Sequence, residues 1–150
     1  MRVFTDVSQL DAAVGEDLGT TDWVEIDQQR VDLFAEATSD HQWIHVDQER
    51  AATGPFGGTI AHAYLTLSLI PWLTSQIFSI ETDGARLNYG LNKARFPNPV
   101  LVGKRIRATA TVQEVVALPA GTQVVVKFVI EIEGESKPAC VAETVVLLLP

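Results

Sequence analysis

The apolar run from Thr59 to Phe78 restricts the fold of this chain more than any other stretch. Its length is close to that of a membrane-spanning helix. However, no basic residue flanks it, and its apolar character is interrupted at His62, Thr66, Ser68, Pro71, Thr74, Ser75 and Gln76. We therefore predict a helix buried inside a soluble domain, with a kink or break at Pro71, because proline has no backbone N–H to donate.

The residues after Ala85 alternate between polar and apolar side chains, as β-strands do. In the clearest segment Ile106, Ala108, Ala110 and Val112 alternate with arginine and threonine. Gly90 is a candidate for a bulge in the first of these strands. The predicted strands are Arg86–Phe96, Lys104–Val115, Thr122–Glu133 and Ala139–Leu149, the last three as an antiparallel meander.

The residues before the apolar run predict short helices and one strand. Asp27 and Asp47 are each well placed to cap the helix that follows. The predicted helices are Val7–Val14, Gln28–Thr38 and Gln48–Ala52, and the strand is Thr21–Ile26. The chain is therefore expected to be a single α+β domain over residues 1–150, with one antiparallel sheet curled around the apolar helix.

The charge of the chain is unevenly distributed. Its formal net charge of -8 argues against a nucleic-acid partner, which would need a basic surface. Six of the eleven bases nevertheless fall in a stretch of twenty-two residues without an acid: Arg86, Lys93, Arg95, Lys104, Arg105 and Arg107. The favoured interpretation is the solvated face of two strands, and the alternative is an anchor for an anionic substrate.

Cys140 is the single cysteine, so no disulfide can form within the chain. It lies in an alternating apolar strand, which favours a buried, unreactive thiol. The first residues contain two acids and lack the apolar core of a secretory signal. We therefore expect a cytoplasmic protein without a membrane segment.

Asp40 and His45 are the candidate chemical groups, five residues apart just after a predicted helix. An acid beside an imidazole can hold one water between them and exchange a proton with it near neutral pH. Such spacing also occurs in ordinary surface loops, so a solvated pair is the alternative. No metal site is predicted, because His41 and His45 lie in a predicted loop, and His62 is expected to be structural.

The stretch from Phe34 to Asp47, followed by Ala51, resembles the hydratase motif of MaoC-like dehydratases and (R)-specific enoyl-CoA hydratases. The segment Phe56–Leu69 is similar to the next block of that family, a Gly/Pro loop and then a histidine at the start of the central helix. Arg95–Gly103 resembles its strand block. The resemblance is closest to short single-domain actinobacterial members.

This resemblance implies a hotdog fold, in which an antiparallel sheet wraps a long central helix, and a homodimer with sheets joined edge to edge. The implied reaction is the reversible addition of water to a trans-2-enoyl-CoA, giving the (R)-3-hydroxyacyl-CoA, with no metal or redox cofactor. It makes Asp40 and His45 the catalytic pair. The backbone N–H of Ala63 would stabilise the charge that develops on the thioester oxygen.

The sequence departs from the family pattern at two places near this pair. Gln42-Trp43 replaces the usual Asn-Pro, and Ala63 replaces a glycine. The side chains expected to contact substrate are Gln42, Trp43, His62, Arg86 and Lys93, the last two through the CoA phosphates. Two other functions stay open: a hotdog acyl-CoA thioesterase, or a non-catalytic acyl-binding protein similar to nodulation protein N.

Overall fold

The computed structural model describes residues 1–150, which form eight strands and six helices. The strands are β1 (Arg2–Phe4), β2 (Asp17–Thr20), β3 (Val24–Glu25), β4 (Phe78–Ile80), β5 (Arg86–Arg95), β6 (Arg105–Leu118), β7 (Gly121–Ile132) and β8 (Cys140–Leu148). The helices are α1 (Val7–Ala12), α2 (Gln28–Thr38), α3 (Trp43–Val46), α4 (Gln48–Ala52), α5 (Ala63–Ser68) and α6 (Ile70–Ile77).

Six of the strands form one antiparallel sheet in the order β2-β6-β7-β8-β5, with β3 also paired to β6. The three successive strands β6, β7 and β8 are neighbours, so the predicted meander is confirmed. Alternation decides which face of β6 is buried: Ile106, Ala108, Ala110 and Val112 are fully buried. This apolar face packs into a core cluster with residues of both helices of the α5–α6 segment, namely Leu65, Ile70, Leu73 and Ile77.

The central helix is shorter than predicted and is built in two segments. The break falls at Leu69, and Pro71 occupies the first turn of α6, where a missing N–H is tolerated. The helix begins at Ala63 because the preceding residues are extended: the Ala61 N–H donates to Val100 and the Val102 N–H donates to Thr59. The sheet still wraps this helical segment, which is the hotdog arrangement expected above.

Three further elements differ from the sequence predictions. Only β3, within the predicted strand Thr21–Ile26, is a strand in the structure. The preceding strand, β2, was not predicted and also pairs with β6. The residues around His45 form the one-turn helix α3 instead of a loop. A parallel pair of short strands, β1 and β4, was not predicted because its partners are more than seventy residues apart.

Strand β5 lies at the edge of the sheet, and almost every residue in it is exposed. Its pairing with β8 shifts register twice, between Asn88 and Gly90 and between Leu91 and Lys93. The bulge predicted near Gly90 is therefore present. Leu87, Tyr89 and Leu91 are left with large exposed apolar surfaces on this edge.

Cys140 begins β8 and is fully buried, as predicted. Burial raises the pKa of its thiol to about 11, so it is protonated at neutral pH. None of the helices is long and apolar enough to cross a membrane.

The contribution of the central helix to stability can be measured at Leu73, which is fully buried in α6. Leu73→Ala should lower the free energy of unfolding by about 2–5 kcal/mol, because it removes buried methyl groups and leaves a cavity. Urea unfolding followed by circular dichroism gives this value. Leu33→Ala is the control, since Leu33 is 63% exposed. A loss for Leu33→Ala as large as that for Leu73→Ala would contradict the prediction.

Candidate active site

The turn at the end of α2 determines where Asp40 lies. The helix begins at its predicted cap, where Asp27 accepts a hydrogen bond from the Arg30 N–H at 2.9 Å. It ends at Ser39, whose φ of 60° is in the left-handed region that often terminates helices. Asp40 follows this reversal directly, and its side chain is about half exposed. The carboxylate is therefore accessible at the surface of the helical layer.

Asp40 is held mainly through its backbone. Its carbonyl oxygen accepts a hydrogen bond from His62 Nε2 at 2.9 Å. The carboxylate makes looser contacts: Oδ1 is 3.4 Å from the Gln42 N–H nitrogen, and Oδ2 is 3.9 Å from His62 Nε2. The main chain is thus fixed while the carboxylate oxygens keep free acceptor positions.

His45 is buried, and its ring is oriented by a carbonyl group. Its Nδ1 lies 2.7 Å from the Ile60 oxygen. A carbonyl can only accept, so Nδ1 carries the hydrogen and Nε2 keeps its lone pair. Burial is the main cause that lowers the pKa of His45. The hydrogen bond to Ile60 opposes it, repulsion from His62 lowers the pKa further, and the Asp40 charge raises it. His45 is therefore neutral near pH 7 and can accept a proton.

The fold brings the two predicted chemical groups together. One carboxylate oxygen of Asp40 and one ring nitrogen from each of His45 and His62 lie within 4.8 Å of one another. A single water that hydrogen-bonds to Asp40 and His45 at about 2.8 Å each can span such a separation. An ionised acid and a neutral imidazole around one water can remove a proton from it and return one to a substrate.

The same three residues have the donor types of a metal site, but their geometry favours acid–base chemistry. The rings of His45 and His62 are stacked, with centroids 3.8 Å apart and planes inclined by 24°. Their lone pairs lie in nearly parallel planes, whereas ligands of one zinc ion must converge on it from about 2.0 Å. One nitrogen of each ring is also engaged by a carbonyl oxygen.

Ala63 is the first residue of α5, and its backbone N–H makes no hydrogen bond within the chain. Gln42 caps α3 without using its side chain, which is exposed and free to contact a ligand. Trp43 was expected to contact substrate, but its ring packs against other parts of the chain. The guanidinium carbon of Arg50 lies 4.2 Å from the ring centroid, and Gly54 lies beside the ring edge.

A groove of about 800 Å³ runs between the α5–α6 segment and strands β5, β7 and β8. Leu67, one of its lining residues, lies one turn beyond Ala63, or about 6 Å along the helix axis. Three hydroxyl groups beside it donate to carbonyls of their own helix and so present little polarity to the groove: Ser68, Thr74 and Ser75. Arg86 and Asn88 of β5 also line the groove. The groove therefore combines apolar walls, which suit an extended acyl chain, with a polar edge at β5.

Strand β5 places the two predicted phosphate anchors at different distances from the start of α5. The residue after β5, Phe96, packs edge to face on Tyr64 at the start of α5, with ring centroids 6.1 Å apart. Lys93 lies three residues from this contact. Arg86 lies at the other end of the strand, roughly 30 Å away, where it donates to the Ile80 carbonyl. Within one chain, Lys93 is the better placed of the two.

Three other bases of the basic stretch are paired with glutamates on or just after β7, whereas Arg95 donates only to the Ala94 carbonyl. Arg107 lies 2.6 Å from Glu131 and Lys104 lies 3.7 Å from Glu135. Arg105 forms a two-pronged pair with Glu133, and this partner raises the pKa of Arg105. These three bases therefore lie on a solvated strand face, which was the favoured interpretation of the basic stretch.

Gln28 supports the site but was not identified from the sequence. Its amide nitrogen donates to the backbone carbonyl of His45 at 2.8 Å, and its amide oxygen accepts from the Thr59 hydroxyl at 2.6 Å. It thereby joins α2, α3 and the extended segment before α5. No local pattern marks such a residue, since its partners are 17 and 31 positions away.

Removal of the Gln28 amide should destabilise the protein. Gln28→Ala leaves two partly buried polar groups without their partner, so the free energy of unfolding should fall by about 1–3 kcal/mol. Urea unfolding measures this loss. The control is Gln29→Ala, because Gln29 is exposed in the same helical turn. Equal stabilities of the two variants would show that the Gln28 hydrogen bonds contribute nothing.

Comparison with known proteins places this site in a family. A family model described as "MaoC like domain" matches residues 9–134. The 3-hydroxyacyl-thioester dehydratase Z of Mycobacterium tuberculosis (strain ATCC 25618 / H37Rv) is 55% identical over 147 residues, which are 97% of this chain and 97% of the relative. Nodulation protein N of Rhizobium leguminosarum bv. viciae is 41% identical, over 95% of this chain and 90% of its own length.

A solved structure of a related enzyme is also similar to this chain. The (R)-hydratase from A. caviae involved in PHA biosynthesis is 26% identical and superposes with a TM-score of 0.73, over 90% of this chain and 96% of that chain. This likeness confirms the predicted hotdog fold. The resemblance noted in the sequence is confirmed as well: the chain belongs to the MaoC-like dehydratase family.

Proposed function

We propose that the protein is an (R)-specific enoyl-CoA hydratase, which adds water reversibly to a trans-2-enoyl-CoA to give the (R)-3-hydroxyacyl-CoA. The observation that carries this proposal is the juxtaposition of the Asp40 carboxylate with the buried, neutral ring of His45, within 4.8 Å. Membership of the dehydratase family supports the same reaction and makes the protein a hydro-lyase.

In the proposed mechanism, Asp40 and His45 hold one water and together move its protons. The water oxygen bonds to C3 of the substrate as the C2–C3 double bond breaks, and its released proton is balanced by one delivered to C2. Negative charge develops meanwhile on the thioester oxygen. The free N–H of Ala63, at the positive end of a helix, donates to that oxygen. No electron is transferred, so the reaction requires no redox cofactor.

The acyl chain is proposed to lie in the groove that Leu67 lines. A thioester carbonyl at Ala63 would point its alkyl tail along the helix toward this groove. The strand residues Val124, Val126 and Phe128 supply its apolar floor. Transfer of each buried methylene from water contributes about 0.8 kcal/mol, so the groove favours substrates with several carbons beyond the double bond.

A homodimer with its sheets joined through β5 is part of the proposal. This edge strand has unpaired backbone groups and exposed apolar side chains, which are suited to pairing with a second copy. The cytoplasm is the proposed compartment. The buried, unpaired thiol of Cys140 supports that choice.

Asp40→Asn tests the assigned chemistry. The purified protein should consume crotonyl-CoA or a longer enoyl-CoA, measured as the loss of ultraviolet absorbance of the conjugated thioester. Asp40→Asn should lower kcat by about 100-fold or more, because an amide is not a general base. The control is Asp22→Asn, an exposed aspartate outside the site.

The same assay separates the alternatives. Release of free CoA, detected by a thiol reagent, would identify a thioesterase instead. Binding of enoyl-CoA without turnover would identify a non-catalytic acyl-binding protein. Full activity of Asp40→Asn would contradict the mechanism even if the reaction itself is observed.

Lys93→Ala tests the proposed phosphate anchor. If Lys93 contacts the CoA phosphates, the substitution should raise KM for an enoyl-CoA about tenfold and leave KM for a truncated enoyl thioester without phosphates unchanged. Lys137→Ala is the matched control, since Lys137 is also exposed but lies on the β7–β8 turn. The anchor is excluded if KM rises equally for both substrates.

A further inference from the structure

His62 occupies a position that neither substrate binding nor simple packing explains. Its ring is only 3% exposed, so it is shielded from solvent and substrate alike. It lies between the ring of His45, at 3.8 Å, and the ring of Phe34, at 4.9 Å between centroids. Its Nε2 donates to the Asp40 carbonyl, while its Nδ1 is buried without a partner.

These contacts determine which nitrogen of each ring carries a hydrogen. The Asp40 carbonyl can only accept, so His62 Nε2 carries a hydrogen. By the same argument His45 carries a hydrogen on Nδ1. His62 Nδ1 is buried and faces no hydrogen-bond partner. The two carbonyl oxygens therefore determine which nitrogen of each stacked ring is the donor.

The surroundings of His62 contain few other charges. Helix α2 presents the apolar ring of Phe34, helix α3 presents His45, and the intervening turn presents Asp40. The Asp40 Oδ2 lies 3.9 Å from His62 Nε2, which is longer than a hydrogen bond. The strongest polar contact of His62 is thus with the backbone of the residue that performs the chemistry.

We infer that His62 is a positioning residue: its Nε2–H fixes the main chain of Asp40, and its stacked ring fixes the plane of His45. One side chain then sets the relative placement of the acid and the base. This inference rests on the proposed function and gives His62 a different role from the substrate contact expected from the sequence.

The electrostatics of the pair agree with this role. Burial, together with His62, lowers the pKa of His45. Because a base must be unprotonated to act, activity should fall as the pH decreases through this lowered pKa. Removal of His62 removes its repulsion, so the pKa of His45 should rise and the acid limb of the pH profile should move to higher pH.

Two substitutions separate the hydrogen bond from the ring. His62→Phe keeps an aromatic ring between Phe34 and His45 but removes the donor, and it should lower kcat about 10- to 100-fold with little change in KM. His62→Gln keeps an amide donor near the Nε2 position. It should retain more kcat than His62→Phe and shift the acid limb of kcat/KM to higher pH. His41→Gln is the control, because His41 is an exposed histidine whose ring pairs with Glu36.

A measurement on the wild-type protein is independent of activity. The chain has three histidines, so long-range ¹H–¹⁵N spectra with the variants as assignment aids can report the hydrogen position on each ring. We expect the Nε2–H form for His62 and the Nδ1–H form for His45. A His62 ring with its hydrogen on Nδ1, or wild-type kcat and pH profile in both His62 variants, would overturn the inference. Absence of hydration by the wild-type protein would refute the proposed function instead, while leaving the spectroscopic result valid.

Discussion

The apolar surface of the α5–α6 segment must be covered, and most of the structure follows from how the sheet covers it. The inward residues of β6 and β7 meet this surface directly. The extended residues Thr59–Ala61, just before the helix, are tied to the Val100–Val102 segment by backbone hydrogen bonds. The helix N-terminus is thereby fixed relative to the sheet, and the loop that carries Asp40 is held against that fixed point.

The candidate active site depends on the same extended segment. Ile60 holds His45 from two sides, since its carbonyl accepts from the ring and its N–H donates to the carbonyl of Ile44. Thr59 reaches Gln28, and His62 reaches Asp40. Four consecutive residues thus connect the core to every group that positions the acid and the base. The proposed catalytic groups are therefore positioned by the core rather than by the loop in which Asp40 resides.

The sequence predicted the parts of this design that local physics determines. Alternation located β6, β7 and β8, helix caps located α2 and α4, and Pro71 lay next to the break in the central helix. The parallel pairing of β1 with β4 could not be predicted, because it joins distant short segments whose own propensities are weak. The helical turn at His45 and the role of Gln28 were missed for the same reason: both are stabilised by partners remote in sequence. The glutamates that neutralise Lys104, Arg105 and Arg107 likewise become visible only once the register of β6 and β7 is known.

The two bulges of β5 have a consequence for how the protein avoids aggregation. A flat edge of ten residues with exposed Leu87, Tyr89 and Leu91 would template almost any extended chain, including partly folded copies during synthesis. The bulges interrupt the regular spacing of donors and acceptors and increase the local twist. A regular strand cannot satisfy such an edge along its whole length, whereas a strand with complementary irregularities can. The irregular edge therefore disfavours pairing with regular strands, although its apolar side chains remain exposed.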